Sequence, residues 1–225
     1  MRQLRLAIAT IFLLTMGLMG SAFADSSVTM YLSSVSGNNG GGVYTYPYNF
    51  TVDGNPTSLI CDTFDNEVYV GETWKATVSG LLSGAGLFGG NLQGYEAAGL
   101  IFENILSGNI DATEGNWAIW GLFSQTAQNN SFYTSSGAAG IASNFLSFVQ
   151  NATPGQIQFI QNELSNLVLY TPIDGSQSQG GTPQEYIGVA MPEPGTIAFL
   201  IITLLFGAGV FAFRKKLGVK YAMNA

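Results

Sequence analysis

The stretch LLSGAGLFGGNLQGYEAAGLIFENIL, residues 81–106, contains the change of hydrophobic period that decides the fold. Its first half is a glycine-rich loop with scattered apolar residues. From Tyr95 onward, Tyr95, Ala98, Phe102, Ile105 and Leu106 fall on one face of a helix. Upstream of this point the chain reads as strands. VTMYLSSV (28–35) and VYTYPYNFTV (43–52) are rich in β-branched and aromatic residues, and the turn clusters SGNNGGG (36–42) and DGNP (53–56) break them. EVYVGETWKATV (67–78) reads as two further strands joined at Gly71-Glu72. Along residues 44–50, Tyr44, Tyr46, Tyr48 and Phe50 alternate and are expected to line one strand face as core.

Downstream the helical period continues. EGNWAIWGLFSQTA (114–127) sets Trp117, Trp120 and Phe123 three apart, and AAGIASNFLSFVQNA (138–152) repeats the pattern with Ile141, Phe145, Phe148 and Val149. Thr153-Pro154 has the form of an N-cap followed by proline at the first helical position, opening a helix to about Leu167. VLYTP (168–172) can instead be a strand. A short alternating strand over Glu185–Val189 then follows the turn-rich DGSQSQGGTPQ (174–184). The order β, α, β predicts an α+β domain: a β-rich sandwich-like or barrel-like body with an inserted helical part.

The two ends read differently. Arg2 and Arg5, an apolar stretch over 6–19 and the small residues Ala22 and Ala24 form the pattern of a secretory signal peptide spanning residues 1–24, cut before Asp25. At the other end, residues 191–225 hold Pro192-Glu193-Pro194, then eighteen uncharged residues from Thr196 to Phe213, then Arg214, Lys215 and Lys216. An apolar run of that length is a transmembrane candidate, and the cations behind it place the C-terminus in the cytoplasm and the preceding domain outside.

Between these ends, the exported domain of residues 25–190 has thirteen acids against Lys75 alone, with no histidine and no arginine in the segment. That charge argues against nucleic acid, whose phosphates need Lys and Arg. It argues equally against phosphorylated substrates and anionic membrane surfaces. Without imidazole there is no Ser-His-Asp or Cys-His triad and no His-ligated metal. Cys61 is the sole cysteine, so an intramolecular disulfide is excluded. No cofactor is expected.

The C-terminal order of PEPGT, apolar span and basic cluster resembles the PEP-CTERM sorting signal of bacteria that make exopolysaccharide. The resemblance implies recognition of Pro192, Glu193 and Pro194 by an integral-membrane exosortase, with Arg214 to Lys216 as the stop. It implies signal peptidase and exosortase as partners during export, extracellular polysaccharide as a partner afterwards, and a passage through the inner membrane to the cell surface or matrix. Two prolines disfavour helix and hold the motif extended, the form a peptidase grips.

LICDTFDNEVYVGETW (59–74) allows two chemical readings. Asp62, Asp65 and Glu67 are a candidate oxygen-ligand set for calcium, although they lack the EF-hand spacing. Cys61, together with YEAAGLI (95–101) and NWAIWGLF (116–123), resembles the bacterial surface thioester domain. There a Cys and a Gln condense into an internal thioester that captures amines or hydroxyls. By position Cys61 is the nucleophile and Ala118-Ile119-Trp120 the helix segment, with Asn116 standing where the family has Gln. Asn is one methylene shorter, so the resemblance speaks more for the fold than for the bond.

Taken together, the expected function is that of a structural or adhesive surface protein rather than an enzyme. Covalent adhesion through a Cys61–Asn116 thioester is the first alternative, with Cys61 otherwise a small buried hydrophobe. A His-independent glycan-acting enzyme using paired carboxylates is the second, although no two acids are paired by sequence alone. Three tripeptides beginning at Asn49, Asn129 and Asn151 match the N-glycan acceptor pattern and carry no assigned role.

Overall fold

The computed structural model describes residues 26–36, 39–173, 175–176 and 178–191. The chain divides into two units, Met1–Val189 and Ala190–Ala225, and only the first is described at length. Ala22, Ala24, Pro192, Glu193, Pro194, Arg214, Lys215 and Lys216, with the expected span Thr196–Phe213, lie outside the described residues. Among the described residues no helix is long and apolar enough to cross a membrane.

Six strands close into an all-antiparallel barrel. They are β1 (Ser26–Val35), β4 (Tyr48–Val52), β5 (Asn55–Cys61), β8 (Tyr186–Val189), β7 (Leu167–Pro172) and β6 (Thr73–Gly80), in that order around the wall. A two-stranded ribbon, β2 (Asn39–Gly40) with β3 (Val43–Tyr44), stands beside it. Closure removes the free sheet edges that a five-residue strand such as β4 would otherwise expose. The β4–β5 hairpin turns on Asp53-Gly54 with φ of 46° and 86°, the geometry of a two-residue primed turn. Asp53 Oδ1 also accepts the Thr29 N–H at 2.8 Å, tying the turn to β1.

Alternation along the strands fills the barrel. Met30, Leu32, Phe50, Val52, Trp74 and Ala76 are all buried, while Tyr31, Thr73 and Lys75 between them face out. Phe50 packs edge-on against Trp74 at 5.7 Å and against Tyr186 at 4.7 Å, and Tyr48 meets Tyr186 at 5.4 Å. The expected four-residue aromatic face is therefore only half realised. Tyr48 and Phe50 point inward, but pairing is interrupted at residues 45–47, Tyr44 is exposed and Tyr46 packs on Phe102. Glu67–Val70 does not form the expected strand; the chain there is a turn-containing loop, with Glu72 Oε2 accepting the Tyr69 N–H at 2.7 Å.

The strands β5, β7 and β8 break the alternation. Leu59, Ile60 and Cys61 are buried in succession, as are Leu167 to Tyr170 and Tyr186 to Ile187. A strand buried at consecutive positions is covered on both faces. The cover is the helical insert between β6 and β7. It comprises a 3-10 turn (Leu81–Ser83), α1 (Leu92–Leu106), α2 (Ala112–Phe123), α3 (Gln125–Gln128), α4 (Ser131–Ser135), α5 (Ala138–Gln150), α6 (Pro154–Glu163) and a second 3-10 turn (Leu164–Asn166).

Side-chain caps set the helix starts. Asn91 accepts the Gly94 N–H at 3.0 Å, Asp111 accepts those of Thr113 and Glu114, and Thr153 with Gln156 forms a capping box ahead of Pro154. The expected helix after Thr153 stops at Glu163, because Leu167 is already paired in β7 with Val189. α1 buries Tyr95, Ala98, Phe102 and Ile105 as expected, and Leu106 is left exposed. α5 realises its expected face in part: Val149 is buried and Ile141 and Phe145 are half-buried, but Ala138 and Ala142 are buried too and Phe148 is exposed. Small residues on that face permit close approach to α1 and α2.

Candidate functional site

The site lies where the end of β5 and the start of β8 meet the insert. Cys61 pairs with Tyr186 across the ladder, and the next residues continue the contact, the Asp62 N–H donating to the Glu185 carbonyl at 3.3 Å. Successive strand residues point to opposite faces. Cys61 therefore shares the inner face with Tyr186, and one residue further along Asp62 and Glu185 are turned toward the insert. All four are 0% exposed.

Glu185 is surrounded by donors from three segments. The Tyr95 hydroxyl on α1 donates to Oε1 at 2.6 Å, the Leu87 N–H in the glycine-rich loop donates to Oε2 at 2.9 Å, and Thr171 Oγ1 on β7 also donates to Oε2. Gly86 makes this approach possible, since a Cβ there would fall on the Tyr95 hydroxyl. Thr63 Oγ1 donates to Asp62 Oδ1 at 3.0 Å and accepts the Glu185 N–H at 3.1 Å.

Asp62 Oδ2 is buried, lies against Glu185 and meets no donor. Two ionised carboxylates in a dry contact repel, whereas one shared proton converts the contact into a hydrogen bond. Burial, and then the charge of Glu185, push the Asp62 carboxyl well above the usual carboxylate range. Asp62 is thus the protonated partner and donates to Glu185. Lys75, the domain's one cation, is exposed and donates to Thr29 Oγ1 at 2.6 Å.

The Cys61 thiol donates to the Thr63 carbonyl at 3.4 Å. Burial, then the neighbouring Asp62, raise its pKa, and only the Trp120 indole and the Thr63 backbone pull the other way. A thiol held in its neutral form is a poor nucleophile. Asn116, also fully buried, spans two backbone groups: Nδ2 donates to the Cys61 carbonyl at 2.9 Å and Oδ1 accepts the Tyr46 N–H at 2.8 Å. Beside it Trp117 Nε1 donates to the Gly40 carbonyl at 3.0 Å, and Trp117, Trp120 and Phe64 form a ring cluster with centroids 5.2 Å apart. The Cys61 and Asn116 residues singled out by the thioester resemblance are therefore neighbours, joined through the main chain of Cys61.

The calcium set does not assemble. Asp62 faces the core, whereas Asp65 and Glu67 are exposed, with Glu67 Oε2 accepting from the Tyr69 hydroxyl at 2.9 Å. Among the described residues no three His, Cys, Asp or Glu side chains are grouped to hold a metal. Glu185, Thr171 and Tyr95 are the residues of the site that sequence reasoning does not single out. Strand alternation alone places Glu185 on the face opposite Tyr186, and nothing local pairs it with Asp62. No protein-family model, curated protein or solved structure matches the chain.

Proposed function

We propose that this is an exported cell-surface or exopolysaccharide-matrix protein, processed at its C-terminus by an exosortase, with a structural or adhesive rather than catalytic role. The observation that carries it is the order of Pro192-Glu193-Pro194, an eighteen-residue apolar run and Arg214-Lys215-Lys216 behind a single acidic domain. The sealed site supports the non-catalytic part. The one close acid pair described above, Asp62 with Glu185, is 0% exposed, so it offers no surface on which a glycan could be cut. The intact mass of the protein released by its native host tests the reading. The expected mass begins at Asp25 and ends near Pro192; a retained C-terminus overturns the sorting assignment.

A second reading, covalent adhesion through a Cys61–Asn116 thioester, is favoured by the 2.9 Å contact between the Asn116 amide and the Cys61 residue. It expects the same released chain to be lighter by one ammonia, and a Cys61→Ala variant to lose that deficit. A wild-type chain without that ammonia deficit leaves Cys61 as core and overturns it.

A further inference from the structure

We propose that Thr171 and Glu185 condense into an ester that covalently joins β7 to β8. The two residues are directly opposed, because the register Leu169↔Ile187 and Tyr170↔Tyr186 continues to them as the next pair. The hydroxyl already donates to Glu185 Oε2, which sets the nucleophile against the carboxyl group. Glu185 is fully buried and Thr171 half-buried, in a setting shielded from bulk water. Holding two reactants this way is worth an effective concentration of about 10⁵–10⁸ M, far above the ~55 M of bulk water that drives ester hydrolysis.

The surrounding groups supply the rest of the chemistry. Asp62, whose buried Oδ2 has no other partner, passes its proton to Glu185, giving the neutral acid that an alcohol can attack. Thr171 Oγ1 bonds to the Glu185 carboxyl carbon, and its proton passes to the Asp62 carboxylate. The Tyr95 hydroxyl at 2.6 Å and the Leu87 N–H at 2.9 Å donate to the two Glu185 oxygens and stabilise the negative charge that develops there. The departing oxygen then takes the proton from Asp62, and one water leaves. A hydroxyl, a carboxylate and the Asp62 proton are consumed, an ester and a water are formed, Asp62 ends as a carboxylate, and no oxidant or cofactor is needed. This crosslink is independent of the Cys61 readings and of how the ends of the chain are processed.

The test is peptide mapping of the full chain after denaturation and cleavage at Asp174, which lies between the two residues in sequence. The expected result is that the flanking fragments stay joined, one water lighter than the sum of the two free fragments, and separate on mild alkaline hydrolysis. Thr171→Val should release them without alkali, and Cys61→Ala should not. Asp62→Asn should slow the appearance of the joined species by at least tenfold, while leaving the folded chain's circular dichroism unchanged. Fragments that separate in the wild-type chain overturn the proposal. So does a joined species that survives Thr171→Val, since the link would then lie elsewhere.

Discussion

Asp62 illustrates how a residue's chemistry follows from a neighbour more than a hundred positions away. In a turn it would be an ordinary ionised acid; against Glu185, inside the protein, it keeps its proton. The consequence for stability has a definite sign. An unfolded Asp ionises near a pKa of about 3.9, while the folded one ionises at a higher pH. The unfolded state therefore releases its proton first, and this group's contribution is fully present below about pH 4 and is lost as pH rises toward the folded value. Asn at this position mimics the protonated acid, keeping an acceptor for Thr63 and a donor for Glu185. Asp62→Asn should match the wild type in thermal midpoint near about pH 4 and exceed it near about pH 8. Thermal melts at the two pH values check this, and equal midpoints for the two chains at both would show that Asp62 is ionised when folded.

Among the elements, the helices of the insert owe their starting points to single polar side chains. Asp111 accepts two backbone N–H groups, at 2.9 and 3.1 Å, at the head of α2, the helix that carries Asn116, Trp117 and Trp120. Asp111→Ala should cost about 1 kcal/mol, the usual value of such a cap. A urea midpoint lowered by that energy divided by the slope, with the slope itself unchanged, is the expected outcome. This level of structure was largely legible in the sequence. Thr153-Pro154 named the start of α6, and the spacing of the α2 aromatics named Trp117 and Trp120 among its buried residues, Phe123 being half-buried. Two elements were not legible. Residues 67–70 alternate like a strand yet form a loop stapled by Glu72. On α5 the large apolar residues are not the most buried ones, because the closeness of α1 and α2 selects alanine there.

At the scale of the whole molecule, barrel and insert are mutually dependent. Ile60, Ile187 and Leu169 share the outer face of the wall across β5, β8 and β7, and all three are fully buried beneath the insert. Replacing residues 81–166 by a short linker would uncover this face at roughly 25 cal/mol per Å² of apolar surface. The expected product binds hydrophobic dye and lacks a cooperative melt. A cooperative, dye-silent barrel would instead establish two separately folding layers. The class of fold and its β–α–β order were readable from the chain alone, because period and caps are local properties. The union of Asp62 with Glu185, the Asn116 bridge between Cys61 and Tyr46, and the approach of Thr171 were decided only by tertiary structure. Each depends on strand register and on which wall the insert covers, and neither is encoded in any one stretch of sequence.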